Sequence, residues 1–196
     1  MSERISKVNR KTGETDIEIK LNIDGSGLFD IKTGINIVDH FLSQLAKHGM
    51  FDITITASGD NQHHIVEDVA ICLGKAFNET LGDKKGITRM GNAMVPMDEA
   101  LAVVAVDIGG RTYSVIDVSF ERTNIDGLDA DLIRHFLESF ASGAKINLHA
   151  MVLTGTNDHH KAEALFKALG RALDSATCID DRVAGKIPST KNIIDN

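Results

Sequence analysis

The chain carries one histidine-rich pattern twice. Two adjacent histidines, followed three residues later by a glutamate, occur as His63-His64-Ile65-Val66-Glu67 and again as His159-His160-Lys161-Ala162-Glu163. An earlier histidine precedes each copy at nearly the same interval, and both of these residues, His40 and His135, are followed by Phe-Leu. A Leu-Gly-basic-Ala sequence follows each copy. The repeat therefore predicts a duplicated fold that has kept the same polar side chains in both halves.

Length and composition set the size of this fold. The chain has 196 residues, of which 42% are hydrophobic, and this is enough to bury a substantial core. No linker or low-complexity tract divides it. We predict one domain over residues 1–196, made of two repeated halves at about 1–86 and 87–185 and followed by a tail at 186–196.

Charge and cysteine content narrow the possible locations and partners. A net charge of −7 argues against general binding to nucleic acid. No apolar run is long enough to span a membrane, and the N-terminus lacks the apolar stretch of a secretory signal. Cys72 and Cys178 lie in apolar helical patterns, which disfavours a disulfide scaffold. We therefore expect a cytoplasmic location, with no membrane or nucleic-acid partner.

Hydrophobic periodicity predicts the order βββαβα in each half. For the first half we predict strands at 4–10, 15–23, 28–32 and 51–56, with helices at 35–48 and 63–81. For the second half we predict strands at 88–95, 100–108, 112–119 and 145–153, with helices at 129–142 and 158–178. This is an α/β fold of the α+β type, in which the helices pack on one face of each sheet.

The two outlying histidines lie away from the apolar stripes of their predicted helices. In the helix at 35–48 the apolar stripe comprises Val38, Phe41, Leu42 and Leu45. The other face carries polar residues at helical spacing, namely His40, Gln44, Lys47 and His48. In the helix at 129–142, His135 is likewise outside the apolar stripe.

The repeated motif has the spacing of a metal site. On a helix, residues at i, i+3 and i, i+4 are neighbours, so each glutamate lies beside both histidines of its pair. Adjacent histidines point about 100° apart, given the 3.6-residue turn, so one pair can serve two different ions. Imidazole and carboxylate together suit Mn²⁺, Fe²⁺, Co²⁺ or Zn²⁺. A single copy is typical of a solvated helix face, but two copies with matching outlying histidines favour ligands.

A second group of residues is basic and offers an anion site. Arg and Lys bind phosphate, and Ser and backbone N–H groups complete such a cradle. The candidates are Arg89, Arg111, Lys167 and the tail residues Pro188-Ser189-Thr190-Lys191. Each of them taken alone is typical of a surface charge. Asp98 and Glu99 form a predicted turn between strands, and their carboxylates fit either a structural turn or further metal ligands.

These blocks together resemble the imidazoleglycerol-phosphate dehydratase family, from about Arg10 to Lys191. Besides the two histidine motifs, the resemblance is carried by Arg10-x-Thr12-x-Glu14-Thr15, Thr33-Gly34-Ile35, Asp39-His40, His48-Gly49-x-Phe51-Asp52, Leu81-Gly82-Asp83-Lys84-Lys85-Gly86-Ile87, Pro96-Met97-Asp98-Glu99-Ala100-Leu101, Gly155-x-Asn157 and Pro188-Ser189-Thr190-Lys191. Such a combination of motifs is highly specific.

The resemblance implies a set of site residues, a cofactor and an assembly. It implies two Mn²⁺ ions per active site, with eight ligands: His40, His63, His64, Glu67, His135, His159, His160 and Glu163. It implies contacts to a small phosphate substrate from Glu14, Gln44, His48, Arg89, Arg111, Lys167, Ser189 and Lys191. It also implies a 24-subunit shell with sites between subunits, a single catalytic domain and a substrate-binding tail.

The sequence departs from the family pattern in two informative places. The stretch 59–62 before the first histidine pair is shorter than is usual in the family. Asn192 replaces the glycine that usually follows Ser-Thr-Lys, which bears on how the tail closes over phosphate. Neither change removes an expected metal ligand.

The implied reaction converts D-erythro-imidazole glycerol phosphate to imidazole acetol phosphate in histidine biosynthesis. The proton that leaves is not acidic, because no carbonyl is adjacent to it, so the imidazole ring must supply the electronic push. Metal ions on the two ring nitrogens would hold the ring as imidazolate and favour loss of hydroxide. A carboxylate would then take the proton, and Glu14 and Glu163 are the candidates for this base.

Two other classes of function fit part of the pattern. A metal-storage or assembly protein would need only the histidine motifs, whereas it would have no use for the basic set around Ser189 and Lys191. A metal phosphohydrolase would want an Asp-rich site with a water nucleophile, and the sequence contains no such pattern. The basic residues therefore favour the lyase over a storage protein, and the lack of an Asp-rich pattern disfavours a phosphohydrolase.

Overall fold

The computed structural model describes residues 4–183 and 185–194, and it contains two four-stranded sheets and four helices. The first half is formed by β1 (Ile5–Lys11), β2 (Thr15–Asn22), β3 (Phe29–Lys32), α1 (Asn36–His48), β4 (Asp52–Gly59) and α2 (Gln62–Thr80). The second half is formed by β5 (Met90–Met97), β6 (Ala100–Asp107), β7 (Tyr113–Asp117), β8 (Asn124–Ile125), β9 (Leu128–Asp129), α3 (Asp131–Ala144), β10 (Asn147–Thr154) and α4 (Asp158–Thr177), followed by a short 3₁₀ turn (Asp181–Val183).

The two sheets have the same topology. Their strand orders are β1-β2-β4-β3 and β5-β6-β10-β7. In the first sheet β3 pairs in parallel with β4, and in the second sheet β7 pairs in parallel with β10. All other neighbouring strands in these two sheets are antiparallel. The predicted α+β fold with a repeated βββαβα order is confirmed. The small β8–β9 hairpin has no counterpart in the first half and was not part of the prediction.

Alternating side chains determine which face of each sheet is buried. On β2, Ile17, Ile19 and Leu21 are buried while the residues between them are exposed. Helices cover the buried faces: α2 packs on β1 and β2, and α4 packs on β5 and β6. The helices also pair across the halves, α1 with α4 and α2 with α3. The four helices thus share one hydrophobic core that draws on both halves.

Two equivalent glycines allow these helix pairs to pack closely. A Cβ at Gly74 of α2 would lie 2.4 Å from the carbonyl oxygen of Phe140 in α3. A Cβ at Gly170 of α4 would lie 2.5 Å from the carbonyl oxygen of Leu45 in α1. Because only glycine fits at these crossings, the Leu-Gly-basic-Ala repeat reflects helix packing between the halves.

The ends of the chain and the cysteines refine the sequence-based picture. Cys72 is buried in α2 as predicted, whereas Cys178 lies just past the end of α4 and is exposed. Residues 195 and 196 of the predicted tail and residues 1–3 of the first half lie outside the described residues, as does residue 184. Among the helices of the described chain, none combines the length and the apolar character that crossing a membrane requires.

Candidate metal centre

Histidine and glutamate side chains meet in two clusters, and each cluster combines residues from both halves. The α1–α4 cluster consists of His40, His159 and Glu163, and the α2–α3 cluster consists of His63, Glu67 and His135. In each cluster the three candidate ligand atoms lie within 4.8 Å of one another. The helix pairs that cross at Gly74 and Gly170 are the same pairs that carry the clusters. Helix packing between the halves therefore creates both sites.

The α1–α4 cluster is compact. Glu163 Oε2 lies 3.1 Å from His40 Nε2 and 3.2 Å from His159 Nε2. The two imidazole rings stack with their centroids 5.3 Å apart. On the other carboxylate oxygen of Glu163, Lys167 Nζ forms an ion pair at 2.6 Å. Both carboxylate oxygens of Glu163 therefore have partners.

The surroundings of Glu163 keep it ionised. Burial raises the pKa of this carboxyl, but hydrogen bonds from Lys167 and His40 outweigh that effect and lower its pKa to about 2. A carboxylate with so low a pKa has little affinity for a proton. Glu163 is consequently suited to charge pairing and ligation, and poorly suited to proton abstraction.

The α2–α3 cluster is more open. Glu67 lies 4.0 Å from His63 Nε2 and 3.7 Å from His135 Nε2, so neither contact is a hydrogen bond. The rings of His63 and His135 stack at 4.8 Å. His135 Nε2 is buried and has no hydrogen-bond partner. An open cleft of about 830 Å³ reaches His63 and His135.

The donor sets of both clusters fit a divalent transition metal. Two imidazole nitrogens and one carboxylate suit Mn²⁺, Fe²⁺, Co²⁺ or Zn²⁺. A buried nitrogen without a partner is costly, and a metal ion would satisfy His135 Nε2. Three protein ligands also leave coordination positions for further groups.

Asparagine caps place both histidine pairs in the first turn of a helix. Asn61 Oδ1 accepts a hydrogen bond from His64 N at 3.0 Å, and Asn157 Oδ1 accepts one from His159 N at 2.9 Å. The repeat thus extends to the cap residue and reads Asn-x-His-His-x-x-Glu in both halves. The short stretch 59–62 joins β4 directly to α2 through this cap.

The second histidine of each pair points away from the clusters within its own chain. His64 Nδ1 is 2.8 Å from Asp60 Oδ1 and 3.8 Å from Glu14 Oε2. His160 Nδ1 is 2.7 Å from Glu99 Oε2. Hydrogen bonding to these carboxylates raises the pKa of both histidines, and the bond from His160 lowers the pKa of Glu99 to about 2.

His64 and His160, the outward histidines, thus each lie beside a β-turn that carries an acidic residue. Glu14 lies in the β1–β2 turn, and Asp98 and Glu99 form the β5–β6 turn. Backbone hydrogen bonds hold Glu14, since its N–H donates to Thr12 Oγ1 at 3.1 Å and its carbonyl accepts from Asp60 N at 3.1 Å. Its side chain remains mostly exposed.

One residue at the α1–α4 cluster was not recognised from the sequence. Asp126, in the turn of the β8–β9 hairpin, places Oδ2 at 2.6 Å from His159 Nδ1. A signal was present in the Asp126-Gly127 dipeptide, which favours a two-residue hairpin turn. Asp126 and Gly127 both have positive φ angles, 50° and 97°, as such a turn requires.

The basic residues separate into two groups within one chain. Arg89 forms a bidentate ion pair with Asp107 at 2.7 and 3.0 Å and donates to the carbonyl of Pro188 at 2.9 Å. It therefore holds the tail that carries Ser189 and Lys191. Arg111 lies on the loop after β6, at the same end of the second sheet.

Lys167 lies at the opposite end of this sheet. It contacts Met97 Sδ at 3.3 Å, at the far end of β5 from Arg89. With a rise of about 3.3 Å per residue, β5 separates the two sites by roughly 25 Å. His48 belongs to the Lys167 group, because burial and then the charges of Lys167 and Arg171 lower its pKa. Gln44 is half-buried, one turn after His40 on α1.

The tail adopts a tight turn despite its unusual residue. Asn192 N donates to the carbonyl of Ser189 at 3.0 Å, and Lys191 N donates to Ser189 Oγ at 3.2 Å. Asn192 has a φ of 54°, in the left-handed region that glycine and asparagine tolerate best. Asn192 therefore adopts a backbone conformation that suits glycine as well as asparagine.

Comparison with known proteins gives a consistent result. The family model for imidazoleglycerol-phosphate dehydratase matches residues 33–173. The chain is 58% identical to the imidazoleglycerol-phosphate dehydratase of Dehalococcoides mccartyi strain CBDB1, over 100% of both chains. It is 52% identical to that of Clostridium botulinum strain Langeland, over 99% of this chain and 100% of the relative.

Solved structures of the same enzyme are similar to this fold. The Pyrococcus furiosus enzyme, in complex with (S)-C348, superposes with a TM-score of 0.83 at 38% identity over 95% of this chain and 99% of that chain. The Staphylococcus aureus N315 enzyme superposes with a TM-score of 0.83 at 33% identity over 90% and 99%. The chain therefore belongs to the imidazoleglycerol-phosphate dehydratase family and is a hydro-lyase of histidine biosynthesis.

Proposed function

We propose that this hydro-lyase is metal-dependent and uses two Mn²⁺ ions to dehydrate D-erythro-imidazole glycerol phosphate to imidazole acetol phosphate. The observation that carries the proposal is the pair of clusters, each of two imidazoles and one carboxylate, that the folded chain assembles from opposite halves. When bound, the two ions would supply Lewis acidity to the two nitrogens of the substrate ring.

The proposed ligands are the three residues of each cluster together with the second histidine of each pair. His64 and His160 diverge from the clusters of their own chain and are bound to carboxylates at its surface. We therefore assign them to ions held mainly by neighbouring copies. Active sites between subunits are part of this proposal, and a 24-subunit shell is the assembly that we propose for it.

The positions of the basic residues support sites shared between subunits. One chain separates Lys167 from the Arg89 group by roughly the length of β5. A neighbouring copy would have to bring the two groups to one substrate. We propose that Arg89, Arg111, Ser189 and Lys191 bind the phosphate. Arg89 is already oriented by Asp107, which lowers the entropic cost of that contact.

We assign proton abstraction to Glu14 rather than Glu163. Both oxygens of Glu163 are committed to Lys167 and the cluster histidines, and its pKa is about 2. Glu14 has an exposed carboxylate on a backbone fixed by Thr12 and Asp60, beside the outward His64. A positioned carboxylate of this kind typically contributes about 10²–10⁴-fold to rate. Gln44, His48 and Lys167 complete the proposed substrate contacts.

The decisive experiment measures turnover and metal content together. Protein stripped with a chelator should form no imidazole acetol phosphate, and added Mn²⁺ should restore activity as two ions per chain bind. His40→Asn and His135→Asn should each lose one ion and most of the activity. His149→Asn is a matched control, because this exposed histidine on β10 belongs to neither cluster. Full activity in stripped protein would overturn the metal dependence.

The cytoplasm is the location that we propose. Cys72 and Cys178 are both free thiols, as expected in a reducing compartment. Labelling of Cys178 by a thiol reagent in freshly lysed cells would support this location, and a fully oxidised Cys178 would contradict it.

A further inference from the structure

The β8–β9 hairpin belongs to the second half alone. In the first half, residues 33–35 connect the third strand to its helix, whereas residues 118–130 make the equivalent connection in the second half. The longer connection is ordered by packing, since Ile125 and Leu128 on either side of the turn are buried. The connection touches both clusters unequally: Thr123 and Asp129 only line the cleft at the α2–α3 cluster, whereas Asp126 is hydrogen-bonded to a histidine of the α1–α4 cluster.

Several contacts fix the hairpin against the helices that carry the histidine pairs. Buried Asp158, in the first turn of α4, accepts backbone hydrogen bonds from Glu121 at 3.0 Å and Arg122 at 2.8 Å. Lys161 pairs with Asp158 at 2.9 Å. From the first turn of α2, Gln62 Nε2 donates to the carbonyl of Gly127 at 3.1 Å. The connection is therefore held by α4 just before the hairpin and by α2 at the turn.

The turn presents a carboxylate to one histidine. Asp126 Oδ2 is 2.6 Å from His159 Nδ1, while Nε2 of the same ring faces Glu163 and His40. A carboxylate only accepts hydrogen bonds, so it keeps a proton on Nδ1 and reserves Nε2 for ligation. Among the described residues, His159 is the one cluster histidine with a hydrogen-bonded carboxylate on Nδ1. His63, its counterpart in the first half, has none.

We propose that Asp126 is a positioning residue that orients His159 for metal binding, so that the insertion in the second half makes the α1–α4 cluster the better-organised of the two metal sites. This inference rests on the metal dependence proposed above. Loss of a carboxylate that supports a metal-bound histidine typically weakens metal affinity about 10–100-fold. Since the Asp126 side chain is 58% exposed, we expect about a tenfold effect, near the lower end.

Two substitutions test this role without unfolding the hairpin. Asp126→Asn keeps a residue that favours the left-handed turn conformation but removes the charge. Asp126→Gly removes the side chain and also tolerates a φ of 50°. Asp30→Asn is a charge-matched control, because Asp30 is exposed on β3 and pairs only with Lys32 among the described residues.

The measurement is calorimetric titration of the stripped full chain with MnCl₂. Wild-type protein and Asp30→Asn should bind two ions per chain with unchanged affinities. Both Asp126 variants should bind one ion normally and the other about tenfold more weakly, a selective loss that general destabilisation would not produce. Two ions bound with wild-type affinity by both Asp126 variants would overturn the inference and leave the metal dependence standing. Wild-type protein that bound no Mn²⁺ would overturn both.

Discussion

The two clusters each contain two histidines and one glutamate, yet their surroundings differ. At the α1–α4 cluster, Glu163 contacts both histidines and is paired with Lys167, and Asp126 supports His159. At the α2–α3 cluster, Glu67 lies 3.7 Å or more from its histidines, and His135 Nε2 is buried without a partner.

This difference teaches that the two halves share the histidines and the glutamate of each cluster, whereas the residues around them differ. The contacts that organise the α1–α4 cluster come from Lys167, which is one turn beyond the motif, and from an insertion outside the repeat. The α2–α3 cluster instead keeps an unsatisfied nitrogen and an open cleft. The α1–α4 cluster is therefore already hydrogen-bonded without a ligand, whereas the α2–α3 cluster leaves one buried nitrogen open to a ligand.

The largest effect on turnover should come from substitution of Glu14, the exposed glutamate beside His64. We expect Glu14→Gln to lower kcat by about 10²–10⁴-fold, because it removes the proposed base. Binding of two Mn²⁺ ions should be unchanged, since Glu14 belongs to neither cluster. Steady-state kinetics and metal analysis of the same preparation check this. Near-normal turnover with full metal content would exclude Glu14 as the base.

A pair of matched substitutions compares the two cluster glutamates in metal-free protein. We expect Glu163→Gln to lower the free energy of unfolding by about 3 kcal/mol, because it leaves the nearly buried Lys167 unpaired. Glu67→Gln should cost less than about 1 kcal/mol, because Glu67 is partly exposed and makes no hydrogen bond. Urea denaturation of both variants measures this. Equal losses of unfolding free energy in the two variants would show that the two glutamates stabilise the fold equally, contrary to this prediction.

Glu163 should also make the stability of the fold depend on pH below pH 4.5. The pKa of Glu163 falls from an ordinary 4.5 to about 2 on folding, so its stabilising effect is present above pH 4.5. That effect should be lost as the pH falls from 4.5 towards 2, where the folded protein also takes up the proton. The difference in unfolding free energy between wild-type protein and Glu163→Gln should therefore shrink over this range. A difference that stayed constant down to pH 2 would contradict the lowered pKa of Glu163.

The smallest effect concerns the helix crossings, where the two halves are alike. Gly74→Ala and Gly170→Ala should each destabilise the fold by about 1–3 kcal/mol, because the added Cβ meets backbone atoms of the partner helix. Gly13→Ala is the control, since a Cβ there meets no atom within 4 Å, and we expect less than about 0.5 kcal/mol. Thermal unfolding of the three variants gives the comparison. A large difference between the two crossings would show that the halves pack unequally.

Much of the fold could be predicted from the sequence, because its elements follow local periodicity. The apolar stripe of α1 and the alternation in β2 depend on neighbouring residues, and both appear as predicted. The β8–β9 hairpin was missed because its strands are only two residues long, too short for a periodic pattern. The role of Asp126 was missed with it, since its partner His159 is distant in sequence.

The sequence alone determined the repeated βββαβα order and the histidines and glutamates that the repeat preserved. It could not decide which of them meet. His40 joins the motif of the other half because α1 crosses α4 at Gly170, and His135 joins α2 because α3 crosses it at Gly74. The separation of Lys167 from Arg89 was likewise decided by the length of β5. Local spacing specifies a helix face, but only packing between distant segments determines what that face meets.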